Sequence, residues 1–279
     1  MKTMSNKFRI QGLVPVFSKI LALSLAVWAF VENTLLLSVR HEILGGDLKI
    51  AHISDVHKKK FGKKAVNAVR KQNPDIIVIS GDLVSRDESD FSTIHSTIQQ
   101  LCRICPVYMA LGNHEQSIPP HCFSRFIRMI QSTDAILLRN QYSFTQINGK
   151  KLTVCGLEVP YTTYKKDGKY KNLDSFSLND MKCLVGEPPH GNVLLIAHNP
   201  LFGSVYSQWG ADFVLSGHLH GGIVRIFGKP LLSPERKFFP PYSKGIYRIN
   251  NTLLMVSAGI GKLRLFNPPE IPVYSVSLK

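Results

Sequence analysis

The apolar and polar positions divide the chain near residue 33. Before that point an apolar run, ILALSLAVWAFV, fills residues 20–31, and Ser18 and Lys19 interrupt the stretch back to Gly12. Twelve residues of helix rise ~18 Å, short of the ~30 Å hydrocarbon core of a bilayer, whereas a count from Gly12 reaches the length a span needs. Lys2, Lys7 and Arg9 precede the run with no acid among them. That arrangement keeps the N-terminus in the cytoplasm and places the downstream chain outside it, although Arg40 and Lys49 on the far side oppose this orientation. Three readings are open: an uncleaved anchor in the cell membrane, a signal peptide cut after Val27-Trp28-Ala29, or a buried helix of the domain. The anchor is the reading adopted, with residues 1–32 as membrane segment and 33–279 as one extracytoplasmic domain.

Beyond residue 33 the pattern alternates. LKIAHIS (48–54), DIIVIS (75–80) and VYMAL (107–111) are compact apolar runs of strand length, and 62–72, 90–103 and 122–130 have helical character. Further on the period shortens towards two. YSFTQI, KLTVCGL, NVLLIA, DFVLS, GIYRI and TLLMVS read as short strands, with Asn148-Gly149 as the turn between the first two. The succession predicts an α/β domain of packed sheets with helices outside. Residues 159–182 are polar and lysine-rich and read as a long surface excursion.

Five of the apolar runs stop at residues able to ligate a metal. LKIAHIS ends in Asp55-Val56-His57, DIIVIS in Gly81-Asp82, and VYMAL in Gly112-Asn113-His114-Glu115. NVLLIA ends in His198-Asn199-Pro200, and DFVLS in Gly217-His218-Leu219-His220-Gly221-Gly222. One histidine after a strand is ordinarily a satisfied polar residue. Five such endings converge, because the carboxyl ends of strands in α/β proteins line a common edge where ligands bind. Residues i and i+2 of extended chain point the same way, so Asp55 with His57, and His218 with His220, each offer two ligands to one side. Carboxylate, imidazole and amide together suit Mn, Fe, Zn or Ni better than Ca or Mg.

Composition narrows the class. Of 279 residues, 44% are hydrophobic and 19% charged, which excludes wholesale disorder; a single apolar stretch excludes a multi-pass membrane protein. Five scattered cysteines make no disulfide scaffold, and the lone CxxC of Cys102 and Cys105 reads as buried thiols. Neither a GxSxG nucleophile nor a P-loop is present. The 34 Lys+Arg against 19 Asp+Glu leave a net charge of +15. Residues 58–71 carry seven of those cations without one acid, directly after His57. Little aromatic interleaving accompanies them, so they read as attraction for phosphate or lipid headgroups more than as a nucleic-acid footprint.

In order and approximate spacing DVH, GDLV, GNHE, a histidine before Asn-Pro, and GHLHGG resemble the calcineurin-like metallophosphoesterases, from Leu48 to the C-terminus. The likeness is to the bacterial branch with an N-terminal membrane segment, where IVRIFG, SPERKFFPPYSKGIY and RLFNPPEI have counterparts. The resemblance implies a four-layer fold: two mixed β-sheets packed face to face and flanked by helices. It implies two divalent metal ions, with Asp55, His57 and His220 on the first, Asp82 bridging, and Asn113, His198 and His218 completing the second. His114 would contact the phosphate and protonate the leaving oxygen, with Asp55 orienting it; Glu115 fills a position often acidic in the family. The implied reaction is attack of a bridging hydroxide on phosphorus, with no covalent enzyme intermediate. Two divalent ions outweigh Asp55 and Asp82, leaving a positive pocket suited to phosphate.

The expected function is therefore metal-dependent hydrolysis of a phosphate ester, of phosphodiesterase or phosphatase type, on a lipid- or envelope-linked substrate. Three other readings stay open: a nuclease or nucleotide phosphodiesterase, a UDP-diacylglucosamine pyrophosphate hydrolase of lipid A synthesis, and a non-catalytic scaffold on the same fold. The filled ligand positions oppose the last. One departure stands out: relatives often have Ser-Arg-Gly where this chain has Ser257-Ala258-Gly259. Another cation must then hold the substrate, or the substrate differs. His41, His52, His95, His121 and His190 match no family motif and are expected to be structural or exposed. Oligomeric state, metal identity and the choice among monoester, diester and pyrophosphate stay open.

Overall fold

The computed structural model describes residues 3–57, 62–164, 175–261 and 264–279, with side chains from Val16 onward. The lysines at 58–60 and the lysine-rich 165–174 segment lie outside the described residues. Helix α1 (Thr3–Thr34) extends well beyond the apolar run. Its part from Val16 to Thr34 is 19 residues long and almost wholly exposed, so the reading of α1 as a core helix does not hold. At 1.5 Å per residue those residues reach ~28 Å, enough by length and composition to cross a bilayer.

Two six-stranded sheets make up the body of the molecule. In the first, β2 (Leu48–Ile53), β3 (Ile76–Ile79), β4 (Val107–Met109) and β5 (Ile136–Leu137) are parallel neighbours. Strand β14 (Glu270–Val276) pairs antiparallel with β2, and β1 (Ser38–Leu44) pairs parallel with β14 at the edge. The second sheet has β7 (Lys150–Leu157), β8 (Asn192–Ala197), β9 (Phe213–Ser216) and β13 (Thr252–Val256) parallel. Antiparallel β6 (Gln141–Ile147) and β12 (Gly245–Ile249) close its two edges. A separate two-stranded ribbon, β10 (Val224–Ile226) and β11 (Lys229–Leu232), stands beside it.

Period-two alternation inside each run explains the layers. Ile50, Ile76 and Val78 face Val154, Leu194, Ile196 and Leu215 across the inter-sheet core. Their neighbours Ala51, Ile53, Ile77 and Ile79 turn outward onto Val66 and Val69 of α2 (Lys63–Arg70), Ile98 of α3 (Ser92–Cys102) and Phe126 of α4 (Pro120–Gln131). On the far side Leu157, Leu195 and Val214 meet Met181 of α5 (Leu178–Val185) and Tyr206 and Trp209 of α6 (Gly203–Trp209). A strand covered on both faces must be apolar throughout, which is why these strands read as continuous runs. The architecture is two mixed sheets face to face with helices outside, as expected.

Two readings are corrected. The segment 159–182 is not a surface excursion at its described ends: Val159, Tyr164 and Phe176 are buried beneath the second sheet. Helix α5 starts there too, capped reciprocally by Ser177 and Asp180. Strands β1 and β14 escaped prediction because SVRHEIL is polar and EIPVYSV carries Pro272 inside a strand flanked on both sides, where proline is normally excluded. Their directions matter for the site. Ser38 at the start of β1 lies opposite Glu270, which opens β14 beside the carboxyl end of β2. The chain therefore leaves α1 at the same sheet edge on which Asp55 and His57 emerge.

Where the chain crosses between sheets, Leu138 hydrogen-bonds Met109 of the first and presses on Gly156 of β7. A β-carbon on Gly156 would sit 2.3 Å from Leu138 Cβ. Gly156→Ala is expected to cost about 2 kcal/mol, or roughly 5 °C in Tm, read by thermal unfolding; an unchanged Tm would show that the crossing yields freely.

Candidate active site

Asp55, His57, Asp82, His218 and His220 all have left-handed backbone, with φ of 48°, 52°, 55°, 68° and 51°. The extended i, i+2 geometry expected for the two pairs is thus replaced by tight loops that fold back on leaving the strand. Such a conformation costs a non-glycine residue about 1–2 kcal/mol and persists only where neighbours enforce it. Here Val56 and His57 N–H groups donate to Asp82 O (2.8 and 3.1 Å), and Asp55 N–H donates to Gly81 O (3.1 Å). Two glycines let these loops touch. A β-carbon on Gly217 would lie 1.9 Å from Ser54 Oγ, and one on Gly112 would lie 2.2 Å from Asp82 Oδ1.

The structure brings the expected Asp and His residues to one place, and Asn113 sits in the loop between Gly112 and His114, both of which border Asp82. Among the described residues three groups could hold a metal ion: Asp55 with His57 and His220, His57 with Asp82 and His114, and Asp82 with His198 and His218. His220 Nε2 is 3.4 Å from Asp55 Oδ1 and 3.2 Å from His57 Nε2, whose ring stacks on that of His220. His57 Nε2 is 3.9 Å from Asp82 Oδ2, and His198 Nε2 is 3.2 Å from the same oxygen. Asp82 thus stands between the outer groups.

The donor atoms suit a cation. Asn113 Oδ1 and His198 Nε2 are buried without a hydrogen-bond partner, a costly state for polar atoms unless something binds them. His198 turns Nδ1–H to Ser80 O (2.8 Å), which directs Nε2 to Asp82, where a cation would take the place of its proton. His218 shares Nε2 with Glu235 Oε1 (2.9 Å), leaving Nδ1 to offer. Charge points the same way. Despite burial, the imidazoles of His198, His114 and His57 hold Asp82 well below the usual carboxylate range. In return, and again against burial, Asp82 and Asp55 pull His198 up to about 10. Burial and the neighbouring His57 and Arg264 push His220 well below its ordinary value, fixing it as a neutral donor.

Several supporting roles were not legible in the sequence. Glu235 lies in a segment with no strand or helix signature, 17 positions from the histidine it orients. Glu115, only 1% exposed, accepts N–H groups of Asp82 (2.9 Å), Val84 (3.2 Å) and Gly112 (2.9 Å), pinning two loops together. Burial and nearby Asp82 raise its pKa to about 7 against those bonds. His52, expected to be structural or exposed, is buried and shares Nε2 with Ser80 Oγ (2.8 Å), which donates to Ser54 Oγ (3.0 Å), which donates to Asp55 Oδ2 (2.6 Å). This buried chain locks the Asp55 carboxylate.

His114 differs from expectation in its partner. Asp55 is occupied by Ser54 and by the His218 N–H (3.1 Å), and no hydrogen bond joins it to His114 among the described residues. His114 is held instead by its own N–H on Asp82 Oδ1 (2.8 Å) and by Arg86 Nη2 at 3.3 Å from its Nε2. Burial, opposed by Asp82 and reinforced by His57 and Arg86, lowers His114 to about 4, so the ring is neutral at pH 7. Arg86 is exposed at the site and is one cation present despite Ala258. Arg264 is another: it is buried, and its guanidinium donates to the Ala258 and Gly261 carbonyls behind Asp55.

If Glu235 orients His218, Glu235→Gln should weaken metal binding about tenfold, read by titration of the purified protein with Mn or Zn. Undiminished affinity would show that His218 needs no such support.

Comparison with known proteins places these residues in a family. Residues 48–222 match the calcineurin-like phosphoesterase family, a span that contains every candidate ligand. An uncharacterized metallophosphoesterase of Campylobacter jejuni, Cj0846, is 30% identical over 273 residues, covering 91% of this chain and 67% of that protein. The phosphodiesterase YaeI of Escherichia coli is 24% identical over 234 residues, with 80% of each chain covered. Among solved structures, the sulfate thiohydrolase SoxB of Thermus thermophilus superposes with a TM-score of 0.51 at 12% identity. That match covers 84% of this chain and 56% of SoxB, so the present chain spans little more than half of that protein and the likeness is one of fold. With its family match over most of the domain and the Asp/His groups gathered at one sheet edge, the chain belongs to the calcineurin-like phosphoesterases, hydrolases of phosphate ester bonds.

Proposed function

We propose that this chain is a membrane-anchored, two-metal phosphohydrolase of phosphodiesterase or phosphatase type. The observation that carries the reading is the pair of buried, unpartnered donors, Asn113 Oδ1 and His198 Nε2, beside a carboxylate flanked by imidazoles. In this reading Asp55, His57 and His220 hold one ion, Asn113, His198 and His218 hold the other, and Asp82 serves both. Bound there, two divalent ions of the Mn, Fe, Zn or Ni kind would neutralise phosphoryl charge and supply hydroxide near neutral pH.

The remaining roles fall to protein groups. His114, seated beside Arg86 and neutral at pH 7 in the free chain, takes a proton from solvent when the anionic phosphoryl group settles beside it, and the imidazolium so formed hydrogen-bonds a phosphoryl oxygen and passes that proton to the leaving oxygen. Arg86 takes the place of the arginine missing at Ala258 in holding the substrate. Asp82 orients the site twice, through its carboxylate and through the His114 N–H it accepts. Asp55 is a ligand whose position the Ser54–Ser80–His52 chain fixes.

We assign residues 1–32 to an anchor and 33–279 to the catalytic domain, on the extracytoplasmic side given Lys2, Lys7 and Arg9. The Trp28 ring, which precedes the cut site after Ala29, lies 6.5 Å from the Phe266 ring and favours a segment that is retained.

Chelation of the full chain should abolish hydrolysis of bis(p-nitrophenyl) phosphate, and Mn should restore it; activity indifferent to chelator would sink the mechanism. His114→Gln should keep its metal and lose about 100-fold or more in kcat, whereas Asp82→Asn should lose metal as well. Metal loss in the His114 variant would assign that residue to the ligand set instead.

A further inference from the structure

The end of α1 is bonded to the catalytic body at a segment that borders the site. Glu32, fully buried, accepts the Phe266 N–H through Oε2 (2.8 Å). Asn33 grips the Arg264 backbone both ways, accepting its N–H (3.1 Å) and donating to its carbonyl (2.8 Å), and Trp28 lies 6.5 Å from the Phe266 ring. From there a hydrogen-bonded ribbon runs outward. Leu265 N–H donates to Ile223 O (2.8 Å), Arg225 N–H donates to Leu265 O (3.1 Å), β10 pairs with β11, and Phe239 N–H donates to Leu231 O (3.1 Å).

This ribbon carries apolar side chains into solvent. Phe227 is 101% exposed at the tip of the β10–β11 hairpin, and Phe238 and Phe239 are 70% and 69% exposed on the adjoining turn. Phe227, Phe239 and Phe266 have φ of 49°, 49° and 57°, a conformation bulky residues avoid. Folding has thus placed large rings outward on strained backbone, on a ribbon whose inner end at 264–266 is bonded to the apolar helix. Lys229 and Arg236 are exposed among them, and Glu235, the one acid in residues 221–244, is buried against His218. Exposed aromatic rings with interspersed cations match the boundary between anionic headgroups and acyl chains.

The ribbon is also part of the site's frame. Asn267 donates to His220 O (2.7 Å) and Gly222 O (2.8 Å), and Glu235 orients His218. We propose that the β10–β11 ribbon and the turn after it form a membrane-docking surface, whose phenylalanines enter the headgroup boundary of the bilayer holding α1. The site then faces the layer of lipid phosphates, and the substrate class is a lipid-borne phosphate ester. The docking rests on the reading of α1 as an anchor and on no catalytic step, and the substrate class rests also on the phosphohydrolase reading of the site.

The test is photo-crosslinking of the full chain in vesicles of phosphatidylglycerol and phosphatidylethanolamine. A benzophenone side chain is placed in turn at Leu21, Phe227, Phe239 and Phe144, the last 77% exposed on β6 at the opposite edge of the second sheet. Lipid adducts at Phe227 and Phe239 should exceed those at Phe144 by at least about fivefold and should approach those at Leu21. Adducts at Leu21 with Phe227 and Phe239 no better than Phe144 would overturn docking and leave the anchor standing. Loss of adducts at all four positions would overturn both, and adducts from Phe227 or Phe239 to a second copy of the chain would make the surface a protein contact instead. Since no arm requires turnover, failure of docking is separable from failure of the metal-dependent reading, which the chelation assay addresses.

Discussion

Two buried carboxylates govern this molecule. Asp55 and Asp82 are at most 1% exposed, within reach of the same imidazoles. Isolated charges in such a place would cost far more than a fold of this size can spare, so each must be matched by positive charge and by N–H donors. The His218 N–H on Asp55, the His114 N–H on Asp82 and the raised pKa of His198 are responses to that demand. The left-handed turns at five of the candidate ligands are another, since only a chain that doubles back can direct both side chains and N–H groups inward.

The layered architecture delivers those groups. Strands β2, β3 and β4 of one sheet and β8 and β9 of the other end at the same edge, and the inter-sheet core keeps the two edges in register. Glu115, bonded to three backbone N–H groups of two loops, ties the ends of β3 and β4 into one unit. Glu270 does similar work between sheets: it pairs with Arg40 of β1 and Lys244, while Arg40 also reaches the Val256 carbonyl of β13.

Legibility followed burial. Strands covered on both faces announced themselves as apolar runs, and the ligand types at their ends could be read because short loops put them beside the strand. Elements that depend on long-range pairing could not be read. Strand β14 carries a proline yet sits between β1 and β2, and β1 forms only because β14 is there to pair with it. Likewise Glu235 and the Ser54–Ser80–His52 chain have no local signature; they matter through partners that folding brings near. Among the described residues the Asp55 carboxylate is bonded to Ser54 and the His218 N–H rather than to His114, a choice of partners that no local pattern announces.

By itself the sequence determined the layers, the identities of the clustered ligand residues and the presence of an apolar helix, because these arise from local periodicity and from residue type at strand ends. Only the tertiary structure decided how they face one another. The antiparallel setting of β14 against β2 makes β1 begin at the catalytic edge, so α1 and the candidate active site share one end of the molecule. No local pattern encodes that relation: strand direction is chosen by which neighbour a strand finds, and β1 finds β14 more than two hundred residues away.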